Sequence, residues 1–327
     1  MEYPQHNLAL DLVRVTESAA LASAKWLGKG DKEAGDQAAV DAMRLSFNSI
    51  NIKGKVVIGE GEKDKAPMLY NGELLGTGKG LAVDVAVDPV EGTNLLAYGR
   101  PNAIAVVGVA PEGSMFNPGS SFYMEKLVVP EDAKNVADIE APVEDNLKKV
   151  AKALGKNVDE LMVFVLDKPR HKELINNIRK AGARIQLHTD GDVAGALMAI
   201  DPSSEIDLMM GTGGTPEGVL AACAIKGLNG EIFTRLNPQK EDEIEALKKE
   251  GANLKIVRNV DNLIKSDDVF FAATGISGGT FLSGVTYTGK GVITSSLIIR
   301  GKTGTLRYLK SIHNLEKLMK FSSIKYK

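Results

Sequence analysis

The run Val83-Asp84-Val85-Ala86-Val87-Asp88-Pro89-Val90-Glu91-Gly92-Thr93 constrains this chain more than any other. Its apolar residues predict a β-strand. Side chains alternate along a strand, so Asp84, Ala86 and Asp88 share one face. Pro89 lacks the N–H that a central strand needs. The strand is therefore expected to stop there, with Glu91, Gly92 and Thr93 at its carboxyl end. Carboxylate oxygens suit hard divalent cations, and free backbone N–H groups suit phosphate. One turn thus offers both halves of a metal-dependent phosphoryl site. The bland alternative is a strand capped at Asp88-Pro89, with Glu91 solvated.

Two helices are expected before this run. Leu8, Leu12, Val15, Ala19, Ala22 and Trp26 recur at spacings of three and four, beginning at Asn7 and ending at Gly28. Val40, Met43, Phe47 and Ile50 form the stripe of the second helix, and Asp36 projects onto it one turn earlier. An acid on a buried stripe must be paired, act as a cap or bind metal. Lys55 to Ile58 reads as a strand followed by Glu60, Glu62 and Asp64, spaced two apart. In an extended backbone these three carboxylates point the same way, either gathered by a cation or forming an acidic hairpin tip.

Strands are expected at Ala103–Val109 and Met124–Val129, then a helix over Val143–Leu154 that marks a domain border. The division is residues 1–155 and 156–327. The second half alternates strand and helix, which predicts helices packed on a sheet with functional groups on loops at strand ends. Lys168-Pro169-Arg170 follows one strand and offers point-charge and bidentate partners for a phosphate, or is a solvated basic turn. Asp190-Gly191-Asp192 follows the next, as a turn with a helix cap or as acceptors for sugar hydroxyls. Gly211-Thr212-Gly213-Gly214 reads as a turn whose free N–H groups cradle an anion. Glu217, on the first turn of the helix that follows, either reaches back to a metal or favours the helix dipole. Gly301-Lys302-Thr303 lacks the first glycine of a P-loop, and Pro216 breaks a dinucleotide-binding pattern.

Composition narrows the field. The chain has 327 residues, 43% hydrophobic and 25% charged, as in a soluble globular protein of two domains. A net charge of −2 argues against a nucleic-acid surface. The lone Cys223 excludes an intrachain disulfide and reads as core packing, and four histidines leave any metal oxygen-ligated. Neither a secretory signal nor a membrane-length apolar run is visible, so a cytoplasmic protein is expected. The lysine-rich stretch Lys310–Lys327 reads as a solvated tail.

At these motifs the chain resembles the class II fructose-1,6-bisphosphatases, the glycerol-operon bacterial type, in the lithium-sensitive metal-dependent phosphatase superfamily. The resemblance rests on Arg14-Val15-Thr16-Glu17-Ser18-Ala19-Ala20, Val57-Ile58-Gly59-Glu60-Gly61-Glu62, Ala66-Pro67-Met68-Leu69-Tyr70, Val87–Thr93, Tyr123-Met124-Glu125-Lys126-Leu127 and Pro216-Glu217-Gly218. It implies a layered αβαβα sandwich of two halves with the site in the cleft between them. It implies hydrolysis of the 1-phosphate of fructose 1,6-bisphosphate in gluconeogenesis by two or more Mn2+ or Mg2+ ions. Their implied ligands are Asp36, Glu60, Asp88, Glu91 and Glu217. Asp64 and Thr93 are implied as the pair that orients and deprotonates the attacking water. Substrate contacts are implied for Glu91, Gly92, Thr93, Tyr123, Lys168, Pro169, Arg170, Asp190, Gly191, Asp192 and Gly214. A homo-oligomer, dimer or tetramer, is also implied, with no nucleic-acid or membrane partner. The alternatives are a sedoheptulose-1,7-bisphosphatase or bifunctional enzyme, another phosphosugar or inositol phosphatase, and a non-enzymatic phosphosugar sensor, which would not need Asp64 and Thr93.

Overall fold

The structure, a computed structural model, describes residues 7–61, 68–289 and 291–321. The chain packs as two compact units, residues 1–114 with 268–327, and residues 115–267. The expected single boundary at 155 differs from this grouping, because helix Val143–Ala153 packs against helix Lys172–Ala181 within the second unit.

The first unit begins with helices α1 (Ala9–Ser23) and α2 (Lys32–Phe47) and strands β1 (Ile52–Ile58), β2 (Leu74–Leu75) and β3 (Leu81–Glu91). A short helix α3 (Thr93–Ala97) and strand β4 (Ile104–Pro111) follow. The second unit holds β5 (Tyr123–Val129), α4 (Val143–Ala153), β6 (Met162–Leu166), α5 (Lys172–Ala181), β7 (Arg184–His188), α6 (Asp192–Ile200), β8 (Leu208–Gly214), α7 (Thr215–Gly227), β9 (Glu231–Leu236), α8 (Glu241–Lys249) and α9 (Val260–Leu263). The chain then re-enters the first unit with β10 (Phe270–Gly275), β11 (Thr286–Thr288), β12 (Gly291–Arg300), β13 (Thr305–His313) and α10 (Leu315–Phe321).

Among the described residues the first unit carries an eight-stranded sheet ordered β11-β12-β10-β4-β3-β1-β2, with β13 on β12. The apolar stripes of α1 and α2, including Leu12, Val15, Ala19, Val40, Met43 and Phe47, bury against Val85, Val87, Val107 and Ala272 on one sheet face. Asn7 Oδ1 accepts the Ala9 N–H at 3.2 Å, as its place before α1 suggests.

The second unit carries a five-stranded sheet ordered β7-β6-β8-β5-β9. Leu127 and Val129 of β5 pack with Leu147 and Val150 of α4 and Ile175 and Ile178 of α5 on one face. Every residue of α6 is buried, and α7 is buried over most of its length, on the face that carries Met124 and Lys126. The result is the expected layered α/β sandwich architecture. No helix among the described residues is long and apolar enough to cross a membrane.

Three expectations are corrected. β3 continues through Pro89 to Glu91, which pairs with Ile104, and the register shifts between Asp88 and Glu91. Pro89 is tolerated because it sits in this bulge, where no ladder N–H is required. Gly211–Gly214 is the end of β8, paired with Lys126–Tyr123, so its backbone is part of a ladder and not an open turn. Lys310–His313 belongs to β13, which pairs with β12 from Thr305 to His313, and Leu315, Leu318 and Met319 pack against Leu21 and Val292. The alternation of Leu309, Ser311 and His313 carries polar side chains on the inward face, which is why it reads as a solvated tail.

Candidate active site

In the first unit, Asp84 and Asp88 share a face of β3 with Ala86, opposite Ala110, Val106 and Gly108. Asp88 Oδ1 accepts the Val90 N–H at 3.1 Å, which holds the bulge. Glu91 is buried at the strand end, and Gly92 turns the chain into α3 with Thr93 as its first residue. β1 runs parallel to β3 with Ile58 beside Ala86, so Glu60 leaves β1 at the same end as Asp88. Asp36 lies on α2, which packs against α3. The cap of α2 is Asp31, whose Oδ1 accepts the Ala34 N–H at 3.0 Å, so capping does not account for Asp36. Burial raises the Asp36 carboxyl above its usual pKa range, against the opposing charge of Lys32. Asp36, Glu60, Asp88, Glu91, Gly92 and Thr93 thus lie on elements that adjoin one end of the sheet. Among the described residues, no three carboxylate or imidazole groups close around a single point. Glu62 and Asp64 lie outside the described residues.

In the second unit, the turn after β6 carries Lys168, Pro169 and Arg170. Arg170 Nε donates to Thr212 O at 2.9 Å, and its guanidinium lies 5.2 Å from the centre of the Tyr123 ring. Tyr123 pairs with Gly214 across the β5–β8 ladder. Gly191 begins α6 with φ +93°, between Asp190 and the buried Asp192. A cavity of about 310 Å³ opens beside Arg170, His171 and Thr212 on the α4–α5 side of this sheet.

Two residues with no assigned part in the sequence reading complete this region. Lys126 Nζ donates to Asp192 Oδ2 at 2.5 Å in a pair 2% and 6% exposed. A lysine between Met124 and Val128 on an apolar strand face was the available signal, since such a charge needs a buried partner. The second is His171, which bridges Leu166 and Thr212.

The β8 end is glycine because carboxylates occupy the space where side chains would stand. A Cβ on Gly213 would lie 1.8 Å from Asp192 Oδ2, and one on Gly214 would lie 1.7 Å from Glu217 Oε2. Glu217 is half-buried with its Oε2 shielded from solvent, and its carboxyl pKa is pushed up to about 7, first by desolvation and then by the Asp192 charge, with Lys126 opposing. Its Oε2 meets no hydrogen-bond donor among the described residues. Asp190 and Asp192 therefore both act on the Glu217 carboxyl, with Lys126 opposing them. A carboxylate whose buried oxygen is unmet, with other negative charges acting on it, fits a cation ligand.

The layered α/β fold thus carries strand-end carboxylates in one unit and, in the other, a basic turn and a carboxylate with an unmet oxygen. The profile of the family described as bacterial fructose-1,6-bisphosphatase, glpX-encoded, matches residues 6–313, and the chain belongs to that family. It is 45% identical over 326 residues to the fructose-1,6-bisphosphatase 1 class 2 of Escherichia coli K12, covering 96% of this chain and 97% of that one. The same identity and coverage hold for the fructose-1,6-bisphosphatases class 2 of Escherichia coli O6:H1 and Shigella flexneri.

Proposed function

We propose that this protein hydrolyses the 1-phosphate of D-fructose 1,6-bisphosphate, giving D-fructose 6-phosphate and inorganic phosphate as a step of gluconeogenesis. The observation that carries the bisphosphate reading is Arg170, fixed by Thr212 O and the Tyr123 ring with Lys168 two residues before it. A second phosphate needs cationic partners of its own, and these residues supply them.

Asp36, Glu60, Asp88, Glu91 and Glu217 would hold Mn2+ or Mg2+. When bound, such ions lower the pKa of a water and offset charge on the leaving oxygen. Thr93 relays a proton from the attacking water to Asp64, since a hydroxyl is too weak a base to keep it. Glu91, Gly92 and Thr93 contact the departing 1-phosphate. Tyr123, Lys168, Pro169 and Arg170 hold the distal phosphate, while Asp190, Gly191, Asp192 and Gly214 position the sugar. Water is the nucleophile throughout, and buried Cys223 takes no part.

Product analysis tests this reading. Fructose 6-phosphate and one equivalent of phosphate are expected from fructose 1,6-bisphosphate. Fructose 1-phosphate as the product would overturn the assignment of the leaving group. Sedoheptulose 1,7-bisphosphate, measured alongside, decides the heptulose alternative, which differs by one hydroxymethylene.

A further inference from the structure

We propose that His171 is a positioning residue: its imidazole is inserted into the β6–β8 ladder and sets the spacing between the Arg170 turn and the Thr212–Gly214 strand end. This deepens the bisphosphate reading above and rests on it.

β6 and β8 run parallel and pair only at Val163 with Leu208 and Phe164 with Met209. Two residues further on, the same register sets Leu166 opposite Gly211. The next rung of a parallel ladder would then join Leu166 C=O to the Thr212 N–H. These two groups do not meet directly. His171 Nδ1 lies 2.7 Å from Leu166 O, and the Thr212 N–H donates to His171 Nε2 at 2.7 Å. Because Thr212 N can only donate, Nε2 is the acceptor, and the ring proton sits on Nδ1, where it donates to Leu166 O. The imidazole is therefore neutral and of one tautomer, and both ladder groups stay satisfied across a wider gap. Gly211, at φ +140°, makes the detour, and a Cβ there would lie 3.0 Å from Nε2.

The gap has a functional neighbour on each side. Arg170, adjacent in sequence, bonds to the carbonyl of the same Thr212 whose N–H meets His171. Thr212 Oγ1 accepts from Asn237 Nδ2 at 2.9 Å, so all the polar groups of Thr212 are fixed from three directions. His171 is 3% exposed, and burial holds its pKa below the usual histidine value, which keeps the neutral form. Both ring nitrogens are engaged by backbone groups, so the ring serves as a bridge. Its effect is to hold the cations of the turn at a fixed distance from the strand that ends at Gly214.

The test compares wild type with His171→Phe, which fills the volume without the two bonds, and His171→Asn, which is smaller and polar and serves if the first fails to fold. The substrates are fructose 1,6-bisphosphate and fructose 1-phosphate, which lacks the distal group. The expected result is a KM for the bisphosphate raised about 10-fold or more, as for two lost hydrogen bonds, with kcat within about 3-fold. The kcat/KM for fructose 1-phosphate should stay within about 3-fold, so that selectivity for the bisphosphate collapses. Equal losses on both substrates, or unchanged selectivity in both variants, would overturn the proposal. Hydrogen exchange of residues 208–214 gives a readout independent of activity, with slow exchange at Thr212 in wild type and fast exchange in the variants. If the wild type shows no preference for the bisphosphate, the substrate reading fails, and exchange at Thr212 alone then decides the bridge.

Discussion

Lys126 and Asp192 form a buried ion pair at 2.5 Å beneath the glycines that end β8. The pair connects β5 to the first residue of α6, and its lysine opposes the upward shift of the Glu217 carboxyl. Removing one member leaves a buried charge uncompensated, which is costlier than never having had the pair. Lys126→Met is expected to destabilise the protein by about 3–5 kcal/mol in chemical denaturation. A loss below about 1 kcal/mol would show that solvent or another group already compensates Asp192.

Gly214 is predicted to tolerate alanine structurally while losing function. The added Cβ would coincide with Glu217 Oε2, the end of a flexible side chain, so the carboxylate yields before the backbone does. Gly214→Ala should cost about 1–3 kcal/mol or less in stability, as for a local overpacking. Its turnover should fall about 10-fold or more, because the displaced group is a proposed cation ligand. Full activity in this variant would remove Glu217 from the site.

Asp88→Ala is expected to lower turnover by about 10³-fold with an unchanged melting profile, since it removes charge placed for the transition state. Near-normal activity would sink the assignment of the β3 end.

A separate polar cluster ties α1 to the carboxyl-terminal hairpin. Thr294 Oγ1 donates to Glu17 Oε1 at 2.8 Å and sits 2.8 Å from His313 Nε2. Burial raises the Glu17 pKa, but hydrogen bonds from His313, Ser311 and Thr294 and the His313 charge outweigh it, leaving it below 4.5. A depressed carboxylate contributes stability above its unfolded value and loses it as pH falls through the folded one. Glu17→Gln should therefore cost about 2 kcal/mol at pH ~7, and the gap from wild type should close as the pH falls below the ordinary carboxylate range. A gap independent of pH would contradict the ionised pairing.

Much of this architecture was legible because burial writes a period into sequence. The two amino-terminal helices, the start of β3 and the order of strands and helices from Met162 to Gly227 lie where the pattern puts them. What escaped depends on partners distant in the chain. The pairing of β4 with β10 brings residues 268–327 into the first unit, and no local pattern announces it. The Gly211–Gly214 run reads as a turn because small residues give no strand signal, yet carboxylates from Asp192 and Glu217 require its glycines. Lys126 and His171 went unassigned for a related reason. Their meaning lies in a buried counter-charge and in a missing ladder rung, and both are set by the fold.

The most direct test of the account is phosphate release from fructose 1,6-bisphosphate by the purified protein with Mn2+, with Mg2+ and with chelator. Release with at least one of the ions, its loss on chelation and its return when the ion is restored are expected. Equal release in chelator would contradict the role given to Asp36, Glu60, Asp88, Glu91 and Glu217, and no release with either ion would contradict the proposed reaction itself.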